Sequence, residues 1–228
     1  MSFTRAVSRF ADRVEAGAEL ASYLQHYRGR SDVIVLGLPR GGVPIAAEVA
    51  RAIGARLDVF VVRKIGLPGH RELAMGAIAS GGVRVLNEDV LTWRRVSQDD
   101  INAVVAEEQR ELARRERLYR GHRPRLAIAD QVVILVDDGL ATGSTMMAAV
   151  QAIRALGPSR VVVAAPVGSA EACQKLAHVA DEVVCRRIPP RFAAVGDWYV
   201  DFSETSDQEV RALLNQGDPH AMPAEAKS

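Results

Sequence analysis

Short apolar runs alternate along the chain with segments in which apolar residues recur every three or four positions. The runs are rich in Val and Ile and lie at residues 32–37, 57–62, 83–86, 132–136, 160–165 and 182–185. Such runs are typical of strands buried on both faces, and the weakest, 83–86, is expected at a sheet edge. The helical spacing covers residues 43–53, 97–119, 144–156 and 170–177. Strands that alternate with helices predict an α/β domain with a doubly wound, mostly parallel sheet.

The first 30 residues show one continuous helical stripe. Its apolar positions recur every three or four residues at the start and continue downstream, and they are Phe3, Val7, Phe10, Val14, Leu20 and Leu24. This spacing predicts an amphipathic N-terminal helix that packs on the α/β core.

The helix at 97–119 carries both a start signal and a charged end. Ser97 followed by Asp100 is a capping pattern, and an Arg-rich stretch occupies residues 114–125. These arginines could form a phosphate-binding patch. We favour a solvated helix end, because cations there complement the helix dipole.

With 228 residues, the chain has the length of one domain with an added subdomain. We divide it into an N-terminal helix (1–30), an α/β core (31–182), a C-terminal hood (183–215) and a flexible tail (216–228). Within the core, residues 63–82 contain closely spaced glycines and a proline and are expected to form a flexible loop.

Composition and charge exclude several functional classes. The chain is 48% hydrophobic and 25% charged with a formal net charge of +1, so no global field favours nucleic acid or an anionic membrane. The apolar runs are far shorter than the roughly 20 residues of a membrane helix, and the N-terminus has no secretory apolar region. The two cysteines lack metal-ligand spacing, which predicts reduced thiols in a cytoplasmic protein.

The strongest chemical signal follows the run at 132–136. Asp137 and Asp138 come first, then a small-residue loop with Gly143 and the hydroxyls Thr142, Ser144 and Thr145, then a helix. The amides and dipole at a helix N-terminus favour phosphate. The two carboxylates would repel a phosphate, so they fit sugar hydroxyls or Mg²⁺ instead. No Gly-Lys-Ser/Thr sequence occurs here, which excludes a Walker-type loop.

Residues 132–146, Val-Val-Ile-Leu-Val-Asp-Asp-Gly-Leu-Ala-Thr-Gly-Ser-Thr-Met, resemble the phosphoribosyl pyrophosphate (PRPP) signature of type I phosphoribosyltransferases, especially the bacterial group called predicted phosphoribosyltransferases. The resemblance implies that Asp137 and Asp138 bind the ribose hydroxyls and Mg²⁺. It also implies that five consecutive residues bind the 5′-phosphate: Ala141, Thr142, Gly143, Ser144 and Thr145.

Two further segments extend this resemblance. The sequence Leu-Pro-Arg-Gly-Gly at 38–42 is similar to the family's pyrophosphate loop, which implies diphosphate contacts from Arg40, Gly41 and Gly42. Arg63 and Lys64 precede a segment that in the family closes over the site. The resemblance makes Arg63, Lys64, His70 and Arg71 candidates for neutralising the diphosphate. His70 would transfer a proton or be a solvated loop residue.

Residues 194–202 loosely resemble the hood of the 6-oxopurine members. This implies that Trp198 or Tyr199 stacks on a base and that Asp201 helps hold Mg²⁺, while an amphipathic strand that buries Trp198 is equally compatible with the pattern. Ala141 stands where those members have an aspartate. The acceptor base therefore stays open.

These observations predict an enzyme that binds PRPP and Mg²⁺ and transfers the phosphoribosyl group to a purine-like or other nucleobase, releasing diphosphate, as in nucleotide salvage. The expected catalytic residues are Asp137, Asp138, Lys64, Arg40 and His70. One alternative is a PRPP-binding regulatory protein that contacts nucleic acid, which the near-neutral charge disfavours. A hydrolase that uses Asp137 would need a motif that is absent. The narrow apolar helix faces would suit a homodimer.

Overall fold

The computed structural model describes residues 8–67, 70–86, 93, 97–121, 123–124 and 126–216. In chain order, its strands are β1 (Val33–Gly37), β2 (Arg56–Val59), β3 (Val62–Leu67), β4 (His70–Ala79), β5 (Val83–Leu86), β6 (Val132–Val136), β7 (Arg160–Val167) and β8 (Glu182–Arg187). Its helices are α1 (Arg13–Ala21), α2 (Gly42–Ile53), α3 (Gln98–Arg120), α4 (Ser144–Arg154), α5 (Ala170–Ala177) and α6 (Asp207–Gln216). Short 3₁₀ helices cover Ser22–Tyr27, Ser80–Gly82 and Val195–Trp198.

Five strands form a parallel sheet in the order β2-β1-β6-β7-β8. Side chains alternate across it with period two. Val33 and Val35 pack into one apolar cluster together with α1, α2, α3 and α6, whereas Ile34 and Leu36 pack into a second cluster with α4 and α5. Because both faces of the sheet are covered, the central strands β1 and β6 are buried along their whole length, whereas the edge strand β8 carries charged, half-buried residues. The predicted doubly wound α/β fold is confirmed.

A second, antiparallel sheet has the order β3-β4-β5. The run predicted as one strand at 57–62 is divided between the two sheets, since β2 ends at Val59 and β3 begins at Val62. Segment 63–82, predicted as a flexible loop, contains most of β3 and all of β4. That prediction was wrong in secondary structure because the small residues in this segment fit a hairpin; a Cβ on Gly76, for example, would come 2.9 Å from a Leu86 methyl carbon. Strand β5 lies at a sheet edge, as predicted.

The N-terminal helix begins later than the apolar stripe predicts. Asp12 caps α1, since its Oδ1 accepts a hydrogen bond of 2.9 Å from the Glu15 amide. Phe10 precedes the cap and instead pairs with Tyr199 in a strand-like bridge. Val14 is 52% exposed, so the early part of the predicted stripe was wrong, and Phe3 and Val7 lie outside the described residues.

The C-terminal region contains one helix that the sequence did not reveal. In α6, Val210 and Leu214 are buried in the same cluster as α1 to α3, so this helix belongs to the core packing. The boundary placed at 182 also divides β8, which is part of the main sheet. The predicted tail, 216–228, begins at the last residue of α6, and its residues 217–228 lie outside the described residues. None of the described helices is long and apolar enough to cross a bilayer.

Candidate functional site

The site lies at the switch point of the parallel sheet, between β1 and β6, where the strand order reverses. From β1 the chain proceeds to α2 and β2 on one side, and from β6 it proceeds to α4 and β7 on the other. Crevices at the carboxyl ends of such neighbouring strands are the usual ligand sites of open α/β sheets. Here the crevice is bordered by two loops, which we call the Arg40 loop (38–41) and the acidic loop (137–143).

The two loops are joined by backbone and steric contacts. The Leu38 amide donates to the Val136 carbonyl at 2.9 Å. A Cβ on Gly42 would lie 2.9 Å from the Asp137 Cα, and one on Gly41 would overlap the Asp138 carboxylate. Glycine is therefore required at both positions by the close approach of the acidic loop.

The two aspartates of the acidic loop have different partners. Asp137 Oδ1 accepts the Asp138 amide at 2.9 Å. Asp138 Oδ2 accepts hydrogen bonds from Arg13 Nε at 3.1 Å and Nη2 at 2.9 Å, in an ion pair whose side chains are 12% and 17% exposed. The Tyr199 hydroxyl donates to the Asp138 carbonyl oxygen at 2.7 Å. Helix α1 and the hood thus meet at Asp138.

Burial dominates the electrostatics of this pair. Desolvation, followed by the neighbouring Asp138 charge, raises the pKa of Asp137 well above its ordinary value. Desolvation also raises the pKa of Asp138, while the Arg13 guanidinium acts in the opposite direction. Two adjacent carboxylates that are largely removed from solvent are costly unless cations or hydroxyl donors compensate them. This arrangement suits a ligand that brings both.

The remainder of the acidic loop is fixed by hydrogen bonds and leads directly into α4. The Leu140 amide donates to the Val167 carbonyl, and the Ser169 hydroxyl donates to the Ala141 carbonyl at 2.7 Å. Gly143 has a φ of 72° and immediately precedes α4. The exposed residues around it include Thr142, Ser144 and Thr145, with the Thr142 and Ser144 hydroxyls 3.1 Å apart. Hydroxyls and amides thus lie together at this helix start, the arrangement that an anion cradle requires, and phosphate binding there stays a prediction.

Arg40 lies beside the site but is paired outside the crevice. Its guanidinium forms an ion pair with Glu204 and lies 3.8 Å from Asp207. Asp207 also accepts a hydrogen bond of 2.7 Å from the Tyr119 hydroxyl. A polar cavity of about 330 Å³ between the Arg40 loop, α3 and α6 is lined by Arg40, Tyr119 and Asp207 together with Pro39, Arg114 and Arg115.

The basic residues predicted to neutralise the diphosphate lie on the second sheet, and the structure does not show them in contact with the acidic loop. Arg63 pairs with Glu108 of α3 at 2.6 Å, which directs it to that helix. Lys64 is exposed on β3. The backbones of His70 and Arg71 begin β4, but their side chains lie outside the described part of the chain. The structure therefore does not bring Arg63 to the acidic loop, and the roles of Lys64, His70 and Arg71 stay predictions.

The aromatic residues of the hood differ in how deeply they are buried. Tyr199 is buried and its ring contacts Phe10, so it is a packing residue and not a free stacking platform. Trp198 is half-buried against the same cluster. Phe202 is 37% exposed, stacks on Tyr199 at 5.0 Å and lies 4.1 Å from the Arg13 guanidinium. Phe202 is thus the more accessible ring next to the site.

The three aspartates proposed to hold Mg²⁺, Asp137, Asp138 and Asp201, do not form one cluster. Asp201 is exposed on the hood, and its Oδ1 accepts the Ser203 amide at 2.9 Å. Among the described residues, no three His, Cys, Asp or Glu side chains lie together as a metal site. Asp137 and Asp138 remain a pair of hard oxygen donors, which fits Mg²⁺ because this ion commonly uses one or two carboxylates plus substrate oxygens.

Sequence reasoning missed three residues that contact the predicted site. Arg13, Glu204 and Asp207 lie on elements far from the signature in sequence, and each pairs with a site residue. No local pattern distinguishes these charges from ordinary surface charges. Only the packing of α1, of α6 and of the segment before α6 against the two loops brings them to their partners in the site.

Comparisons with known proteins agree with this geometry. The model of the phosphoribosyl transferase domain matches residues 7–205. Two proteins from strains of Mycobacterium tuberculosis, named "Putative phosphoribosyl transferase MT0597" and "Putative phosphoribosyl transferase Rv0571c", are each 47% identical over 207 residues, 91% of this chain and 46% of theirs. The chain thus spans about half the length of these curated relatives.

A solved structure is similar over nearly the whole chain. The crystal structure of the protein TT1426 from Thermus thermophilus shares 47% identity, with a TM-score of 0.82, and the match covers 90% of this chain and 97% of that one. The family model covers well over half of the sequence, including both loops of the crevice. The chain therefore belongs to the phosphoribosyl transferase domain family.

Proposed function

We propose that this protein transfers the 5-phosphoribosyl group of PRPP to a nitrogenous base and releases diphosphate. The observation that carries the proposal is the convergence of Asp137 and Asp138, the Gly143 cradle and the Arg40 loop at the switch point of the sheet. A sugar bearing a phosphate at one end and a diphosphate at the other matches these three features in chemistry.

In this proposal the acidic loop binds the ribose 5-phosphate part of PRPP. The carboxylates of Asp137 and Asp138 accept hydrogen bonds from the ribose hydroxyls, which offsets their burial. The amides and hydroxyls of residues 141–145 bind the 5′-phosphate at the start of α4. Fixing the sugar at both points orients its anomeric carbon for attack by a bound acceptor.

The leaving diphosphate is expected at the Arg40 loop. Negative charge grows on it as the bond to the anomeric carbon breaks, so cations and backbone donors aimed at it lower the barrier. Arg40 and the Gly41-Gly42 backbone adjoin the acidic loop and are suited to this role. Mg²⁺ bound with the substrate, next to Asp137 and Asp138, would neutralise further charge. Lys64 and His70 stay candidates for the same end of the substrate.

The acceptor is expected to bind between the hood and the ribose. Phe202 presents a partly exposed ring beside Arg13, while Trp198 is half-buried. A flat nitrogen heterocycle could stack on the Phe202 ring or, with a shift of the hood, on Trp198. A nucleobase fits this description, and its identity is a matter for screening.

The charges on α3 offer little support for the regulatory alternative. Arg114 and Arg115 both pair with Glu111, at 2.7 and 2.8 Å, so they are partly neutralised within their own helix. This pattern agrees with a solvated helix surface better than with a nucleic-acid contact, for which clustered unpaired cations are typical.

The proposal is tested by measuring diphosphate release from PRPP and Mg²⁺ with a panel of purine and pyrimidine bases. We expect base-dependent release by the wild type and none by the double variant Asp137→Asn, Asp138→Asn. Asp181→Asn serves as the matched control, because Asp181 is also ion-paired, to Arg154, but precedes β8 and so lies at the amino ends of the parallel strands, away from the crevice. Equal turnover in the double variant would contradict the site assignment.

A further inference from the structure

Arg13 forms an ion pair with the acidic loop through Asp138. It lies in the first turn of α1, 125 residues before its partner Asp138, and its guanidinium is 12% exposed. Building on the function proposed above, we infer that Arg13 is a positioning residue that holds Asp138 for ribose recognition and ties that carboxylate to the hood.

The hydrogen bonds divide the Asp138 carboxylate into a held oxygen and a free one. Oδ2 accepts both Arg13 Nε and Arg13 Nη2, and it also lies against the Gly41 backbone. Within the described part of the chain, no group donates to Oδ1. One oxygen is thus fixed by the protein, and the other is left to accept a hydroxyl from a sugar.

The shape of the guanidinium matters as much as its charge. Two of its nitrogens reach the same carboxylate oxygen, and a third, Nη1, donates to the Ser203 carbonyl at 2.7 Å. A lysine could supply the charge but not three directed donors in one plane. An arginine therefore sets the rotation of the Asp138 carboxylate as well as balancing it.

The same guanidinium connects the sugar side of the crevice to the acceptor side. It lies 4.1 Å from the Phe202 ring centroid and 5.9 Å from that of Tyr199, whose hydroxyl binds the Asp138 backbone. Movement of the hood would therefore be transmitted to Asp138 through Arg13. Arg13 therefore ties the Asp138 carboxylate to the aromatic residues of the hood.

The test is calorimetric titration with two probes, ribose 5-phosphate and inorganic phosphate. Both are expected to occupy the Gly143 cradle, but only the sugar phosphate offers hydroxyls to Asp138. The variants are Arg13→Met and Arg13→Lys. Arg120→Met is the matched control, since Arg120 forms an equally buried pair with Asp58 (11% and 12% exposed) and contacts neither loop of the crevice.

We expect Arg13→Met to weaken ribose 5-phosphate binding by about tenfold or more, which equals about 1.4 kcal/mol, while phosphate binding stays unchanged. Arg13→Lys should recover part of the loss, and this milder change keeps the test valid if the Met variant does not fold. Arg120→Met should bind both probes as the wild type does.

Different failures have different meanings. If the wild type binds ribose 5-phosphate and both Arg13 variants bind it equally well, the positioning role is overturned and the proposed function stands. An equal loss for both probes would also overturn it, because that result indicates general damage to the loop. If the wild type binds neither probe, the proposed function fails, and the inference with it.

Discussion

Gly41 and Asp138 are in direct contact across the crevice, and a single Cβ on the glycine would overlap the Asp138 carboxylate. This contact joins the Arg40 loop, which precedes α2, to the acidic loop, which precedes α4. The groups expected to bind diphosphate and ribose are therefore one packed unit. A change in either loop is expected to alter binding at both ends of PRPP.

The first prediction concerns Gly41→Ala. The new methyl group must displace the Asp138 carboxylate, so PRPP binding should fall by at least tenfold, as judged by calorimetry. Gly54→Ala is the control at the other end of α2, where the φ of 70° makes the substitution strained but nothing lies within 4 Å. It should cost about 1 kcal/mol of stability and leave PRPP affinity unchanged. Normal binding by Gly41→Ala would disprove the steric argument.

A second pair of glycines tests the phosphate cradle. Gly143 immediately precedes α4 and Gly157 lies three residues after its end, with φ values of 72° and 70°, so an alanine at either should lower the unfolding free energy by about 1 kcal/mol or more. Only Gly143→Ala should also weaken binding of inorganic phosphate. Thermal unfolding and phosphate titration of both variants separate the two effects, and equal phosphate affinity would place the anion elsewhere.

The pairing of Arg40 predicts a gain of affinity. Glu204 occupies the Arg40 guanidinium, so the diphosphate must compete with this carboxylate. Glu204→Gln should therefore tighten diphosphate binding by about two- to fivefold, the range expected for an exposed ion pair. Glu209→Gln, which removes the same charge in α6 without contacting Arg40, is the control. Weaker binding by the Glu204 variant would show that Glu204 supports the site.

A pH dependence follows from Tyr119. Burial, then the hydrogen bond to Asp207, raises the pKa of Tyr119 to about 12. Because tyrosine in an unfolded chain ionises near pH 10, the stabilisation from this side chain is complete below about pH 10 and is lost as the pH rises towards about 12. The stability advantage of wild type over Tyr119→Phe, about 1 kcal/mol near neutrality, should shrink across this range in urea unfolding. A constant difference would contradict it.

Much of the fold could be predicted because it depends on local patterns. Strand β6 begins and ends where the apolar run predicts, helix α5 does so where the helical spacing predicts, and Ser97 caps α3 through the Asp100 amide as expected. Each of these elements is specified by residues that are close to one another in the sequence. The same is true of the acidic loop, whose glycine, hydroxyls and carboxylates are contiguous.

The errors arose where tertiary pairing competes with local periodicity. Phe10 fits a helical stripe, yet it pairs with Tyr199, because the hood supplies an aromatic partner that the local sequence cannot reveal. Strand β4 contains glycine and alanine and lacks the usual β-branched pattern. Arg13 has no distinguishing neighbour, and only the fold brings it to Asp138. The central residues of the site are contiguous in sequence and could be predicted, whereas the residues that complete it, such as Arg13, reach it only through long-range contacts.

The measurement that tests the central claim most directly is calorimetric titration of PRPP with Mg²⁺ into the wild type and the Asp137→Asn, Asp138→Asn double variant. Binding by the wild type in the micromolar range, lost in a folded double variant, is the predicted result. A folded wild type that does not bind PRPP, or a double variant that binds it equally well, would contradict the assignment of the acidic loop as the PRPP site.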